Sequence, residues 1–353
     1  MRVVITGATG NVGTSLVAAL EREPRVTQIV GLARRKPEAS GGGKTEWVAA
    51  DITSAPLEVV FAGADVVVHL AWLIQPSRDE RTLEATNVDG SKRVFDAAAA
   101  AGVPALVHAS SIGTYSPGPS DRRVPEDWPT DGIQSSFYSR HKVECERALD
   151  RLELVHPALR VVRLRPGLIF KRGAATGIRR LFAGPLLPSP LVRPGLVFVI
   201  PDLPGLAVQA VHADDVADAY RLAVVDDTAK GAYNVAAEPV LDVPELSRLL
   251  GARPVRVHPG LVRALAKSSW RLRLQPTPPG WLDMGLQTPI MDVTRARTEL
   301  GWEPRRSSGE ALLELMEGMR EGAGAPTPPL DPETTGPLRV REFLTGVGRR
   351  TGL

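Results

Sequence analysis

The chain is poor in cysteine, in net charge and in long apolar runs. Its single cysteine, Cys145, permits no disulfide within the chain and no CxxC metal site. Cys145 falls on the apolar stripe of a helical segment and reads as a buried structural thiol. Forty-three basic residues face 40 acidic ones for a net charge of +3, so the high pI is not a nucleic-acid footprint. The excess of arginine over lysine reads as a composition bias. No apolar run approaches the length of a membrane span. The opening MRVVITG has neither a charged leader nor an apolar signal core. A cytoplasmic protein with no nucleic-acid or membrane partner is expected. His69, His108 and His212 have no metal-ligand spacing with a carboxylate, so they read as satisfied core or capping histidines and no metal is expected.

What is present is alternation. The 353 residues are long for one core and predict two lobes, and 43% hydrophobic with 24% charged residues fits a soluble globular enzyme. Apolar runs at 2–6, 28–33, 45–50, 65–71, 105–110 and 159–166 read as strands. Helical patterns fill 11–22, 54–62, 79–101 and 137–155. This predicts an α/β fold, a Rossmann-type doubly wound parallel sheet covered on both faces, with right-handed crossovers. The expected dinucleotide-binding domain is 1–165 with returning segments at about 206–237, and 166–353 is mostly a smaller, mixed substrate lobe with a Pro-rich tail. A strand followed by a helix is expected over 206–225, a further strand at 231–237, and helices at 242–250, 256–272 and 307–323. The stretch 184–205 is rich in Pro, Gly and Leu and reads either as an apolar pocket wall or as a lid packed on its own lobe.

TGATGNVG places Gly7, Gly10 and Gly13 between the first strand and the first helix. Such glycines let the backbone turn tightly against a pyrophosphate, which then sits on the helix N-terminus among Thr9, Asn11 and Val12. No lysine follows the last glycine, which disfavours an NTPase loop. At the end of the second strand, where an acid would hold a ribose 2′-hydroxyl, stand Ala33, Arg34 and Arg35. Two guanidiniums and no carboxylate favour a 2′-phosphate, hence NADP over NAD. The bland reading is a pair of solvated loop arginines. Asp51 can accept from an adenine amino group with Ile52 against the ring, or it simply caps the next helix. Leu70, Ala71 and Trp72 end the fourth strand where the dinucleotide must pass.

Tyr138 and Lys142, at i and i+4, share a helix face. A phenol titrates near pH 10 in water, and a neighbouring ammonium is expected to lower that value. Ser110 and Ser111 end the fifth strand, on the edge where doubly wound sheets bind ligands. Ser111, Tyr138 and Lys142 thus form a donor, acid–base and tuner set suited to hydride chemistry.

Together with NVDGSKRVFDAA (87–98), RLRPGLIF (163–170), VHADDVADA (211–219) and RTELGW (297–302), these motifs make the chain resemble the extended short-chain dehydrogenase/reductase superfamily, specifically the NAD(P)-dependent epimerase/dehydratase family. The resemblance implies that Asn87 braces the site, Ser111 binds the substrate oxygen, Tyr138 moves the proton and Lys142 holds the nicotinamide ribose. Pro166, Gly167 and Leu168 would line the nicotinamide. It also implies a homodimer through the helices near 87–101 and 137–155. Three departures bear on function. The serine motif ends Tyr115-Ser116 rather than Tyr-Gly. Ile112 and Gly113 replace the acidic pair of the 4,6-dehydratases. LRPGLIFKRGA replaces the Asn-rich segment of sugar-nucleotide epimerases. The expected activity is an NADP-preferring carbonyl reductase or alcohol dehydrogenase on a small molecule, with Trp72 and Phe198 walling an apolar pocket. The alternatives are a redox-neutral nucleotide-sugar epimerase that retains NAD, with Arg172, Arg179 and Arg180 at a diphosphate, and a non-catalytic NADP-sensing protein.

Overall fold

The apolar runs of the first half become strands β1 (Arg2–Thr6), β2 (Gln28–Ala33), β3 (Thr45–Ala49), β4 (Val66–His69) and β5 (Ala105–Ala109). Two later strands, Arg160–Pro166 and Gly231–Val235, join them in one seven-stranded sheet. Every pairing in this sheet is parallel. From one edge the order is Gly231–Val235, Arg160–Pro166, β5, β4, β1, β2, β3. The order reverses beside β1, which opens a crevice at the carboxyl ends of β1 and β4. The structure is a computed structural model that describes residues 1–37, 43–75, 77–182 and 197–332.

Helices cover both faces, as unbroken apolar strands require. On one face lie α1 (Asn11–Glu21) and, from the second half, Ala213–Val225; Leu16 and Leu20 of α1 meet Tyr220, Ala223 and Val224. The other face carries α2 (Leu57–Phe61), a broken helix and the helix Phe137–Val155, which pack Phe61, Phe95, Cys145 and Leu149 into a second core. Helix α2 is shorter than the pattern at 54–62 because Pro56 stands at its N-cap. The single helix expected at 79–101 runs as α3 (Glu80–Glu84), a π turn (Ala85–Asp89) and α4 (Gly90–Ala100). Such a turn redirects side chains and is frequent at functional sites. Helix α5 is Phe137–Val155, at the bounds its periodicity predicts, with Ser136 accepting from Ser139 N at its start.

The second half is built of helices and two-stranded ribbons. Helices α6 (Ala175–Phe182), α7 (Ala213–Val225), α8 (Val243–Leu250), α9 (Pro259–Arg271), α10 (Gly280–Gln287), α11 (Thr294–Glu299) and α12 (Ser308–Glu321) follow in order. The strand Leu168–Phe170 pairs with Ala210–His212, and Val199–Asp202 pairs with Arg253–Arg256. Residues 183–196 of the apolar stretch, and the Pro-rich tail beyond 332, lie outside the described residues. Helix α10 returns across the chain onto the start of α5. A Cβ at Gly280 would lie 2.4 Å from the Ser135 carbonyl oxygen, so only glycine permits this approach.

Candidate active site

The glycine turn forms at the mouth of the crevice. Gly7 adopts φ 74, where a side chain is strained, and a Cβ there would meet the Ala71 backbone at 2.7 Å. At Gly13 a Cβ would lie 2.4 Å from Gly7 O, so glycine sets how closely α1 docks on β1. Gly10 is the N-cap of α1, has no side-chain cap, and is followed by no acid in the first turn. The N–H groups of Asn11, Val12 and Gly13 therefore stay available to an anion, and the helix dipole favours one. This cradle fits a dinucleotide pyrophosphate. Thr9 is buried, and its carbonyl accepts from Thr327 Oγ1 at 2.9 Å, so the chain beyond α12 folds back onto the turn. Asn11 donates to Ile169 O at 3.3 Å while its own Oδ1 has no partner among the described residues.

The remaining turn and strand-end residues divide in two. Arg34 and Arg35 are exposed at the end of β2 and carry no ion pair among the described residues. Ile52 is a core residue of the α2–α5 face. Asp51 caps no helix. Its Oδ1 instead accepts from Thr53 N and Thr53 Oγ1 at 2.9 and 2.7 Å, a local turn that closes at Thr53, before α2 begins at Leu57. Leu70 and Ala71 follow β4 directly against Gly7. Asn87, in the π turn, accepts from Leu73 N and donates to Leu73 O, both at 2.8 Å, and so clamps the strand end that carries Trp72.

Around Tyr138 the chain assembles residues that are far apart in sequence. Ser111 hydrogen-bonds the phenol and also accepts from Gly113 N at 3.0 Å. The Lys142 ammonium donates to Ala109 O at 2.5 Å, lies 3.5 Å over the Trp72 ring, and stands 5.8 Å from the Tyr138 ring centre. Trp72 and Trp281 flank Tyr138 at 5.7 and 4.9 Å between ring centres, and Phe182 backs Trp281 at 4.9 Å. A side chain at Gly113 would touch Met284 Sδ and the Tyr138 ring, so α10 closes the site from above. Trp281, Met284 and Phe182 have no signal in the sequence, because they reach Tyr138 only through the fold of α6 and α10. Ser110 turns the other way: its hydroxyl donates to Glu146 Oε1 at 2.5 Å. Pro166 ends its strand, Gly167 N bonds Val235 O at 3.0 Å, and Leu168 is partly exposed beyond them. Phe198 is exposed and lines neither of the two cavities described below.

Burial reverses the expected titration. It pushes the Tyr138 phenol above its ordinary value, with the Ser111 hydrogen bond pulling the other way. It pushes the Lys142 ammonium down to about 7, against the pull of Cys145 and Glu146. The ammonium expected to lower the phenol is thus itself driven toward neutrality, because α10 and Trp72 exclude the water that would solvate both. Between about 7 and 10.5 the unfolded chain holds a proton at Lys142 that the folded chain releases, so stability rises with pH across that window. Lys142→Met is expected to raise the thermal midpoint of the empty protein below that window. The gain should shrink as pH climbs through it, as read by melts at a series of pH values. A loss of stability at the acidic end would contradict this assignment.

Beneath the site lie two further histidines. His69 is satisfied by Thr6 Oγ1 at 2.6 Å and Ser91 Oγ at 2.8 Å, and burial drives it down to about 3. His108 stacks on it at 5.4 Å but has no partner for either ring nitrogen among the described residues, so the expectation of a satisfied histidine fails there. His212 caps α7 by accepting from Asp214 N at 3.1 Å. A cavity of 370 Å³ lies among Glu126, Asp127 and Arg295, and none of Ser111, Tyr138 and Lys142 lines it. A 120 Å³ cavity lies behind Trp281, lined by Phe137, Arg140 and Trp270. The second adjoins the chemistry, and the first is a polar surface recess.

The family model described as "NAD dependent epimerase/dehydratase family" matches residues 3–236. The chain belongs to the NAD-dependent epimerase/dehydratase family. The matched span contains the whole glycine turn, the triad positions and all seven strands of the main sheet. A relative from Mycobacterium tuberculosis is 27% identical over 92% of this chain, and the chain spans 31% of that relative's length. Family members similar over most of both chains include a UDP-glucose 4-epimerase of Mycolicibacterium smegmatis, 28% identical over 91% of this chain and 99% of its own. Another is a 3-diazoavenalumate denitrifying reductase of a Streptomyces species, 30% identical over 87% and 97%. The solved structure of MoeE5 in complex with UDP-glucose and NAD shares the fold, with a TM-score of 0.67 and 23% identity over 91% of this chain and 99% of that one. Among the described residues no helix is long and apolar enough to cross a membrane.

Proposed function

We propose that this family member is an NADP-preferring oxidoreductase that reduces the carbonyl of a small, largely apolar molecule or oxidises the matching alcohol. The observation that carries this reading is the enclosure of Tyr138 by Trp72, Trp281, Phe182 and Met284. Such walls suit an apolar substrate and leave few donors for sugar hydroxyls. The similarity to a reductase of Streptomyces agrees with it.

Gly7, Gly10, Gly13 and the start of α1 would hold a nicotinamide dinucleotide, which would supply or accept the hydride when bound. The chain's own residues do the rest. Ser111 donates a hydrogen bond to the substrate oxygen. Tyr138 passes its phenolic proton to that oxygen in reduction and takes it back in oxidation. Lys142 holds the ribose and supports the phenolate once Tyr138 has given up its proton. Trp72 and Trp281 keep water from the reacting centre. Asn87 positions the Leu73 backbone, and with it the strand end that carries Trp72.

A second reading is an epimerase that retains NAD, with Arg179, buried on α6, as the candidate to hold a diphosphate. The epimerase relative points the same way. Purified protein, denatured and assayed by mass spectrometry for released nucleotide, separates the two. Stoichiometric NAD sinks the reductase reading. An empty protein that binds NADPH in preference to NADH supports it. Exchanging Arg34 and Arg35 together for alanine is expected to weaken NADPH binding about 10- to 100-fold and to leave NADH binding unchanged, as followed by nicotinamide fluorescence. Equal losses for both nucleotides would remove these arginines from the 2′-phosphate. Pairing of α4 and α5 between two copies remains part of the proposal, and sedimentation velocity tests it.

A further inference from the structure

Helix α9 leaves its leucines on the outside. Its half-buried positions are Pro259, Val262, Ala266, Ser269 and Trp270, and no residue of the helix is fully buried. Leu261 and Leu265, one turn apart, are 53% and 61% exposed, and Leu272, two turns on and along the same line, is 70% exposed. Ala264 and Ser268 between them are exposed as well. An ordinary surface helix buries its leucines, and α9 leaves both of its leucines exposed. Leu274 follows at the tip of α9, and Val255 and Val199 are exposed on the ribbon whose Arg253–Arg256 strand leads into the helix. Arg273, at φ 61, is the one non-glycine at positive φ among the described residues, and it sits between Leu272 and Leu274. It is the left-handed residue of a Schellman cap that ends α9: Arg273 N donates to Trp270 O at 3.1 Å and Leu274 N to Ser269 O at 2.9 Å.

The same region concentrates charge. Residues 246–282 contain no Asp or Glu, yet they carry Arg248, Arg253, Arg256, Arg263, Lys267, Arg271 and Arg273. Arg248, Arg256 and Arg263 pair with Glu245, Asp202 and Asp283. Arg253, Lys267, Arg271 and Arg273 are exposed with no ion pair among the described residues. The near-balance of the whole chain conceals this face.

We propose that α9, its Leu272–Leu274 tip and the Val199–Asp202/Arg253–Arg256 ribbon form a docking surface for a membrane carrying anionic headgroups. Leucines enter the headgroup boundary while the flanking Lys267 and Arg271 meet anionic lipid, the arrangement of helices that lie in the interface. A second copy fits the face poorly, because an isologous contact would set one cluster of unpaired cations against another. A nucleic acid would use the cations and leave a central leucine row without a function. The expectation of no membrane partner came from the absence of a spanning run, and a peripheral contact needs only a face. This face adjoins the candidate site: Trp270, in the last turn of α9, lines the 120 Å³ cavity together with Trp281. The docking does not depend on the redox reading.

The full chain is mixed with vesicles of phosphatidylcholine alone or of phosphatidylcholine with phosphatidylglycerol, and the bound fraction is read by flotation. The expected result is binding to the anionic vesicles only, weakened by salt. It should fall about fivefold for each of Lys267→Ala and Arg271→Ala, and be lost in the Leu261→Ser/Leu265→Ser variant. These side chains are exposed, so the variants should keep the parent's circular dichroism and melting midpoint. Four results overturn the proposal: no binding to either vesicle; equal binding to both; binding indifferent to the leucine substitutions; or a lipid-free dimer in sedimentation that Leu265→Ser dissolves, which would assign the face to a second copy.

Discussion

Tyr138→Phe is expected to lower turnover by about 10²- to 10⁴-fold, the usual contribution of a positioned acid–base group. The substitution removes one oxygen from a ring packed between Trp72 and Trp281. The ring contacts survive, so the fold and dinucleotide binding should both be preserved. The measurement is kcat beside nicotinamide-fluorescence binding and a melt on the same sample. A reductase and an epimerase would both lose turnover, whereas a protein that only senses the dinucleotide would respond to it as before. Unchanged turnover would remove Tyr138 from the chemistry. The pH dependence carries further information. Burial holds the phenol above its ordinary value in the empty protein, so the alcohol-oxidising direction, which needs phenolate, should speed up toward alkaline pH. Ser111→Ala deletes the hydrogen bond that counters burial at the phenol, and should move that rise further toward alkaline pH.

Glu146→Ala is expected to cost about 3–5 kcal/mol of stability, the scale for stripping one partner from a buried ion pair. Glu146 is 2% exposed, and both its oxygens are taken. Arg165 reaches them at 2.9 Å through Nε and Nη2, Arg163 at 3.1 Å, and Ser110 at 2.5 Å. Without it Arg163 keeps Asp150 and Glu153, but among the described residues Arg165 keeps only the neutral Tyr115 hydroxyl and the Glu126 carbonyl as hydrogen-bond partners. A buried guanidinium is left with no carboxylate. Burial pushes the Glu146 carboxyl up, but Arg165 and then Arg163 and Ser110 outweigh it and hold the group below the usual carboxylate range. Its contribution is therefore present above the unfolded carboxylate pKa and is lost as pH falls through the lowered folded value. Denaturant melts at neutral and acid pH should show the variant's deficit shrinking toward acid. A deficit under about 1 kcal/mol at neutral pH would mean that this network contributes no more than an exposed pair.

Much of this protein is legible from local pattern. Strands such as Val66–His69 are buried along their whole length, so their sequences are unbroken apolar runs. Gly7 and Gly13 are demanded by backbone within a few residues or on the adjoining strand end, and so the turn reads as a motif. Tyr138 and Lys142 share a face because the helix period is local. The choice between Ser110 and Ser111 is less legible. Adjacent extended residues point to opposite sides, and only the placement of Glu146 and Tyr138 shows which hydroxyl belongs to the site.

The amino-acid sequence by itself determined the parallel α/β fold, the glycine turn at α1 and the shared helix face of Tyr138 and Lys142, since each depends on periods and turns within one stretch of chain. Tertiary structure alone decided the enclosure of Tyr138 by α6 and α10, the direction in which Tyr138 and Lys142 titrate, the loss of partners at His108 and the outward leucines of α9. The physical reason is that solvent exclusion at a group is a sum over neighbours distant in sequence, and neither spacing nor composition at that group encodes it.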